Sequence, residues 1–300
     1  ITPLMLAAAK GLTTIVRDLL DRGVDVNTQE SNGQTALLMA LAANQAEIAE
    51  ILLANKAATD VTDRRGITAL MLAAQAGNAA LVESLLAAGA NIDQQDKRGF
   101  TALTGAAFVG QPDMVRLLLS RGANLSVGDT RQRTALMWAA SNGQTEIIET
   151  LLAAGADIDA ADTAGTTALM LAIAKPDALA ALLAAGAAID QKDTRGFTAL
   201  MSAAWTGRVE AAKLLLQHGA KIDIRDEKTG RTALMWATVK GHTAFVKMLL
   251  KAGASAALQD NAGHTAAGLA EQYRQKAIIE LFAGRDSRPG ADDAQIQVLP

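Results

Sequence analysis

Thr2, Thr35, Thr68, Thr101, Thr134, Thr167, Thr198, Thr232 and Thr265 each open a T-[AP]-[LA] phrase, and successive phrases lie 33 residues apart except for one interval of 31 and one of 34. A period of that length, kept over nearly the whole chain, demands a tandem array in which each small unit buries its apolar face on its neighbours. No single core sized for 300 residues is then required. Two nearly identical phrases, TALMWAASNG from Thr134 and TALMWATVKG from Thr232, are 98 positions apart. They fall short of three full periods because the unit at Thr167 has lost two residues and the hairpin before Thr232 has gained one.

Each unit carries the same local signals. The threonine can accept from the free N–H groups of a first helix, and in Thr2-Pro3 the proline sits where its missing donor costs nothing. Small residues follow, such as Ala73 and Ala74 or Ala139 and Ala140, and then a glycine turn at Gly77, Gly143, Gly207 or Gly241. A second helix has apolar residues at helical spacing, as in Ile147, Ile148, Leu151 and Leu152, with Glu146 and Glu149 left for solvent. Gly89, Gly122, Gly155, Gly186, Gly219 and Gly253 stand where a left-handed residue ends a helix. Turn-forming stretches such as Asp96-Lys97-Arg98-Gly99 and Asp193-Thr194-Arg195-Gly196 then lead to the next capping threonine.

A unit reading D-x-x-G-x-T-A-L-M-x-A-A-x-x-G…L-L-x-x-G-A resembles the ankyrin repeat. The resemblance covers residues 1 to about 283. It implies an all-α fold: an ankyrin-repeat solenoid of about nine helix-turn-helix units joined by β-hairpin-like loops. The family motif places proline after the threonine and histidine after the leucine. Most units here have alanine and Met71, Met137, Met170, Met201 or Met235 instead, exchanging a hydrogen-bonding side chain for an adaptable apolar one. The domain organisation expected is one array over residues 1–283, with a tail over 284–300. Thr2 lacks an upstream hairpin, so the first unit reads as truncated or completed from outside the chain, and the start at Ile1 fits a removed leader or a shortened chain. Glu271, Gln272, Arg274, Gln275 and Lys276 make the last unit polar enough for a cap. The tail breaks the pattern at Pro289, Gly290 and Asp292-Asp293, and its Ile296-Gln297-Val298-Leu299 stretch is the part able to dock as an extended peptide. In the unit at Thr167, Ala174-Lys175-Pro176-Asp177 replaces the glycine turn, which places Pro176 in the first turn of a shortened second helix.

Composition excludes several functions. With half of its residues hydrophobic and no long apolar run, the sequence describes a soluble globular chain without membrane insertion. Zero cysteines remove disulfides, thiol catalysis and thiolate metal sites together. The only histidines, His218, His242 and His264, share no ligand-like spacing, so neither a metal nor a cofactor is expected. No nucleophile-and-base pattern and no phosphate loop is present, and the chain is read as no enzyme. Asp63, Asp96, Asp129, Asp162, Asp193, Asp226 and Asp260 recur at one register, which marks them as hairpin architecture.

What distinguishes one unit from another lies at the hairpin tips and first-helix ends, the positions through which the ankyrin-like resemblance implies partner contact. Phe100, Phe108 and Val109 stand there in the unit at Thr101, and Phe197 and Trp205 in the unit at Thr198. With five Phe, three Trp and one Tyr in the chain, such placement singles these rings out as interface anchors. Trp138 and Trp236 recur inside the repeated phrase and read as packing between units. Arg98, Arg131, Arg133 and Arg195 belong to a basic hairpin edge, opposed by Glu47, Glu83, Glu146 and Glu210 on second helices. Their replacement is expected to leave stability almost unchanged. Although the net charge is only −3, such an edge favours a protein partner with an acidic surface; nucleic acid is not favoured, because no basic run interleaves with stacking rings.

The sequence therefore predicts a monomeric, non-enzymatic module that binds another protein through hairpin tips and concave face. The alanine-rich TALMWAA style resembles bacterial members of the family and implies an inhibitor or immunity-type role, with the periplasm favoured over the cytoplasm. A structural scaffold bridging two proteins is the alternative.

Overall fold

The structure, a computed structural model, describes residues 1–286. The Ile296 to Leu299 stretch and most of the expected tail lie outside the described residues, although the last helix, Lys276–Asp286, reaches into its first positions. Among the described residues there are 18 α-helices, one 3₁₀ helix and no strand. The hairpin loops contribute a single antiparallel bridge, Ala161 to Thr167. The helices are short because a repeat of this period must hold two of them and a hairpin. First helices such as Ala69–Gln75 and second helices such as Ala79–Ala87 alternate along the chain.

All nine phrase-opening threonines are extended N-caps whose hydroxyl accepts from the backbone N–H three residues on. That geometry fixes where each first helix begins. The residues that follow face inward: Leu70, Leu103, Leu136, Leu169 and Leu200 are buried, as are the methionines of the motif at Met137, Met201 and Met235. The alanines that close each first helix, Ala139 and Ala140 for instance, expose nothing, which lets consecutive first helices lie against each other.

The chain divides into two compact units, Ile1–Ala185 and a second that begins at Gly186. In the first unit, six helix pairs stack in chain order, first helix on first helix from Pro3–Ala9 to Ala168–Leu171. In the second, Ala199–Thr206, Ala233–Val239 and Ala266–Gln272 form one layer, backed by Val209–Gln217, Thr243–Lys251 and Lys276–Asp286. Phe245 is fully buried between these layers.

The aspartates recurring at the hairpins are structural, as their register implies. In each regular hairpin one carboxylate oxygen accepts the N–H groups two and four residues on: Asp96 takes those of Arg98 and Phe100, Asp129 those of Arg131 and Arg133, and Asp193 those of Arg195 and Phe197. Successive hairpins are also tied backbone to backbone, with Lys97 N–H to Arg65 carbonyl, Thr130 N–H to Arg98 carbonyl and Thr163 N–H to Arg131 carbonyl, all at 2.9 Å. Gly99, at φ +82°, shows how close the hairpins lie, since a Cβ there would meet the Asp129 backbone at 2.7 Å.

The irregular unit differs from its sequence expectation. Its second helix, Pro176–Ala184, keeps the nine residues typical of the array, with Pro176 in its first turn. The shortening falls on the first helix, which is reduced to Ala168–Leu171 and continues as a 3₁₀ turn over Ala172–Ala174. Proline fixes where the second helix starts, so the two missing residues come out of the segment before it.

Candidate functional site

Six of the nine aromatic residues gather into two clusters of the same design. In the first unit, Phe100 precedes the capping threonine, Phe108 stands at the end of the helix Ala102–Val109, and Trp138 projects from the next first helix, Ala135–Asn142. Ring centroids lie 6.0 Å apart for Phe100 and Phe108, 5.4 Å for Phe100 and Trp138, and 5.0 Å for Phe108 and Trp138. The second unit repeats this with Phe197, Trp205 and Trp236 at 6.1, 5.2 and 5.0 Å. Edge-on and tilted arrangements dominate, as the ring quadrupole favours.

Arginines lie over these rings. Arg98 and Arg195 each stand 4.8 Å above the hairpin phenylalanine two residues on, and Arg133 and Arg231 cover the faces of Trp138 and Trp236 at 3.9 and 5.1 Å. Each guanidinium is also held by a hairpin carboxylate: Arg98 by Asp96 at 3.0 Å, Arg133 by Asp129 at 2.8 Å, and Arg195 by Asp193 at 2.6 Å. Aspartate on one side and an aromatic face on the other hold these side chains in place.

Of the residues expected to contact a partner, Phe100, Phe108, Val109, Arg98, Arg131 and Arg133 line one pocket of the first unit, while Arg195, Phe197 and Trp205 form the second cluster. Phe108, Val109 and Trp205 are 45%, 49% and 41% exposed, but Phe197 is only 7% exposed. Of the rings expected to contact a partner, Phe108 and Trp205 are therefore the exposed ones, and the hairpin phenylalanines pack against them. Trp138 and Trp236 do pack between repeats, as their register suggests, and in doing so they join the other two rings of each cluster. Tyr273 and Lys240, which the sequence did not single out, complete the second cluster: Lys240 Nζ stands 3.4 Å above the Trp205 ring, and Tyr273 lies 6.0 Å from the Arg231 guanidinium.

The extra residue in the hairpin before Thr232 distinguishes the two copies. In the first, Asp129 Oδ2 accepts from Arg133, leaving the buried Trp138 indole N–H without a partner among the described residues. In the second, Arg231 is one residue further from its hairpin aspartate and turns to Asp260 of the following repeat, at 3.1 Å. Without that guanidinium, Asp226 Oδ2 accepts the Trp236 indole N–H at 3.0 Å, along with the Thr229 hydroxyl and the Arg231 backbone N–H. One inserted residue has exchanged the partners of an arginine, an aspartate and a tryptophan.

The basic edge is less free than its composition suggests. Arg65, Arg98, Arg133 and Arg195 are all paired within their own hairpins, and Arg231 with the next. The expectation that the arginines hardly matter to stability is therefore revised for Arg133, which is paired, ring-stacked and only 26% exposed. The glutamates of the second helices are met by Arg17, Arg116, Arg121 and Lys213. Arg131 stays exposed, and its side chain makes no hydrogen bond or ion pair among the described residues. His242 Nε2 lies 3.1 Å from the Trp205 carbonyl and His218 Nδ1 2.9 Å from the Leu214 carbonyl, so both histidines bond backbone.

Burial raises the Asp63 carboxyl, but donation from the Ile67 and Arg65 N–H groups and the Arg65 guanidinium outweighs it and leaves the pKa lowered. Asp226 is lowered in the same manner by Thr229, Trp236 and Arg231, and Asp260 by His264, Arg231 and Ala262, each against an upward push from burial. A carboxylate lowered in the folded state contributes stability that is complete above its unfolded value, about 3.9, and is lost as pH falls through the folded one. Thermal melting followed by circular dichroism is expected to be level from about pH 7 to 5 and to drop below about pH 4. A melting temperature unchanged in that acid range would contradict the assigned hydrogen bonds.

No helix among the described residues is long and apolar enough to cross a membrane, and no group of three histidine or carboxylate side chains comes together to hold a metal ion. The family model for ankyrin repeats, which spans three copies, matches residues 4–96, 70–162, 155–226 and 222–293. The chain belongs to the ankyrin-repeat family. No curated protein matches it. Ankyrin repeats are generic modules for binding other proteins, and this ankyrin-repeat chain places its two ring-and-arginine clusters on hairpins and first-helix ends, the parts that vary between its repeats.

Proposed function

We propose that the repeat array of residues 1–283 is a non-catalytic recognition module that grips a partner protein through Phe108, Val109 and Trp205 and the arginines around them. The observation that carries this reading is the duplication of one cluster of aromatic rings, each with an exposed member, in both units. Exposed aromatic rings beside preorganised guanidiniums have the composition of interface anchors. Arg131 and the outer edges of Arg98 and Arg195 support a partner surface that carries carboxylates. Each cluster is complete within one chain, which supports a monomer as the binding form. The specific role we propose is that of an inhibitor or immunity-type protein covering an enzyme. A scaffold that joins two proteins is the second reading, favoured by the fact that each unit holds a cluster of its own.

A photo-cross-linking residue placed at Phe108 or Trp205 is expected to capture a partner that the same residue at Glu149, on the outside of a second helix, does not. Titration of that purified partner should show at least about a tenfold loss of affinity when Phe108→Ala and Trp205→Ala are combined. Equal capture from Glu149, or unchanged affinity in the double variant, would overturn the assignment. A one-to-one complex that silences one enzyme identifies the inhibitor, whereas simultaneous binding of two proteins identifies the scaffold.

A further inference from the structure

The two clusters have diverged in one respect that the rings themselves do not reveal. In the first unit the rings border a pocket of about 450 Å³, with Met71, Phe100, Phe108, Val109 and Trp138 among its apolar walls. Gly105 also lines it, and a Cβ there would have no atom within 4 Å. The second copy carries Ser202 at the register of Gly105, and Lys240, at the register of Asn142, lies on the Trp205 ring face. Glycine inside a helix costs stability relative to almost any other residue, and neither backbone nor neighbours demand it here, since Gly105 is helical and has open space above it. What Gly105 provides is the space itself.

Charge around the pocket says what fills that space. Arg98, Arg131 and Arg133 border it with Asp96 and Asp129. Both aspartates are already engaged by Arg98 and Arg133, so Arg131 faces the pocket with an uncompensated positive charge. An apolar hole rimmed by one surplus cation suits an apolar side chain whose neighbour in sequence is a carboxylate.

We propose that the Gly105 pocket is a socket for a partner segment that inserts a leucine, isoleucine, methionine or phenylalanine side chain and sets an adjacent aspartate or glutamate on Arg131. This rests on the protein-binding reading above and specifies its chemistry at the first cluster. The second cluster, with Ser202 in place of the glycine and Lys240 against its ring, adds to the grip without setting its sequence.

Gly105→Leu tests the socket while leaving the fold in place, because the added side chain occupies the pocket and leucine is a better helix former than glycine. Random dodecapeptides displayed on phage and selected on the full chain are expected to enrich an apolar residue next to an acidic one. The selected peptide, made synthetically, should bind at least about tenfold more weakly to Gly105→Leu and more weakly to Arg131→Gln, while the melting temperature of Gly105→Leu is unchanged or higher. Enrichment of basic or purely polar peptides, no enrichment at all, or equal binding to Gly105→Leu would overturn the socket. If cross-linking from Phe108 still captures a partner in that event, the general protein-binding reading stands and only the socket falls; if neither captures anything, both fall.

Discussion

Trp236→Ala is expected to destabilise the second unit by about 3–5 kcal/mol, as loss of a large buried ring does. Trp236 is only 8% exposed, touches both Phe197 and Trp205, lies beneath Arg231 and donates to Asp226. Its counterpart makes the comparison informative. Trp138 has ring neighbours at the same registers, Phe100 and Phe108, but its indole N–H is buried without an acceptor among the described residues, a state that already carries a cost in the native protein. Trp236→Phe should therefore cost about 1.5–3 kcal/mol, the range for a hydrogen bond to a charged group, whereas Trp138→Phe removes a liability and should cost clearly less. Chemical denaturation followed by fluorescence and circular dichroism measures both. Equal costs at the two positions would mean that the difference in indole hydrogen bonding has no energetic weight.

The second large effect is expected at Asp260. Its side chain is 2% exposed, takes the N–H groups of Ala262 and His264, and holds Arg231, itself only 14% exposed. Asp260→Ala leaves that guanidinium without its countercharge in a poorly solvated place, and removal of one member of such a pair costs about 3–5 kcal/mol. Asp162→Ala offers the contrast, because Asp162 accepts the N–H groups of Ala164 and Thr166 and forms no ion pair among the described residues. A cost of about 1–3 kcal/mol is expected there. Similar losses in both variants would show that the arginine finds water or another acceptor once Asp260 is gone.

Much of this was legible in the sequence because the array repeats its local physics. The capping threonines, the hairpin aspartates and the terminating glycines each solve one backbone problem, and a residue doing so at a fixed period declares its task. Gly89 and Gly155, at φ +94° and +91°, are left-handed as their positions implied. The irregular unit was less legible: Ala172, Ile173 and Ala174 suit an α-helix as well as a 3₁₀ turn, so the sequence could not say which helix had lost its residues. For the candidate site, Phe108 and Trp205 stood out because a ring is out of place at an exposed helix end. Trp138 and Trp236 were hidden within a motif whose apolar residues are expected to pack. The choice of Arg231 for Asp260 over Asp226 depends on where a hairpin of altered length aims its side chains, and composition carries no record of that.

The residue inserted before Thr232 also bears on how the second unit comes apart. In a repeat array each unit has an intrinsic stability and a coupling to its neighbour, and the balance between them decides how many units unfold together. At Arg133 the pairing with Asp129 belongs to one repeat and adds to the intrinsic part. At Arg231 the same kind of pairing crosses to Asp260 and adds to the coupling instead. Unfolding of the repeat that carries Asp260 would thus strip the cover from Trp236 and loosen the ring cluster around it, so the exposed Trp205 site is tied to the integrity of the following repeat in a way that the Phe108 site is not.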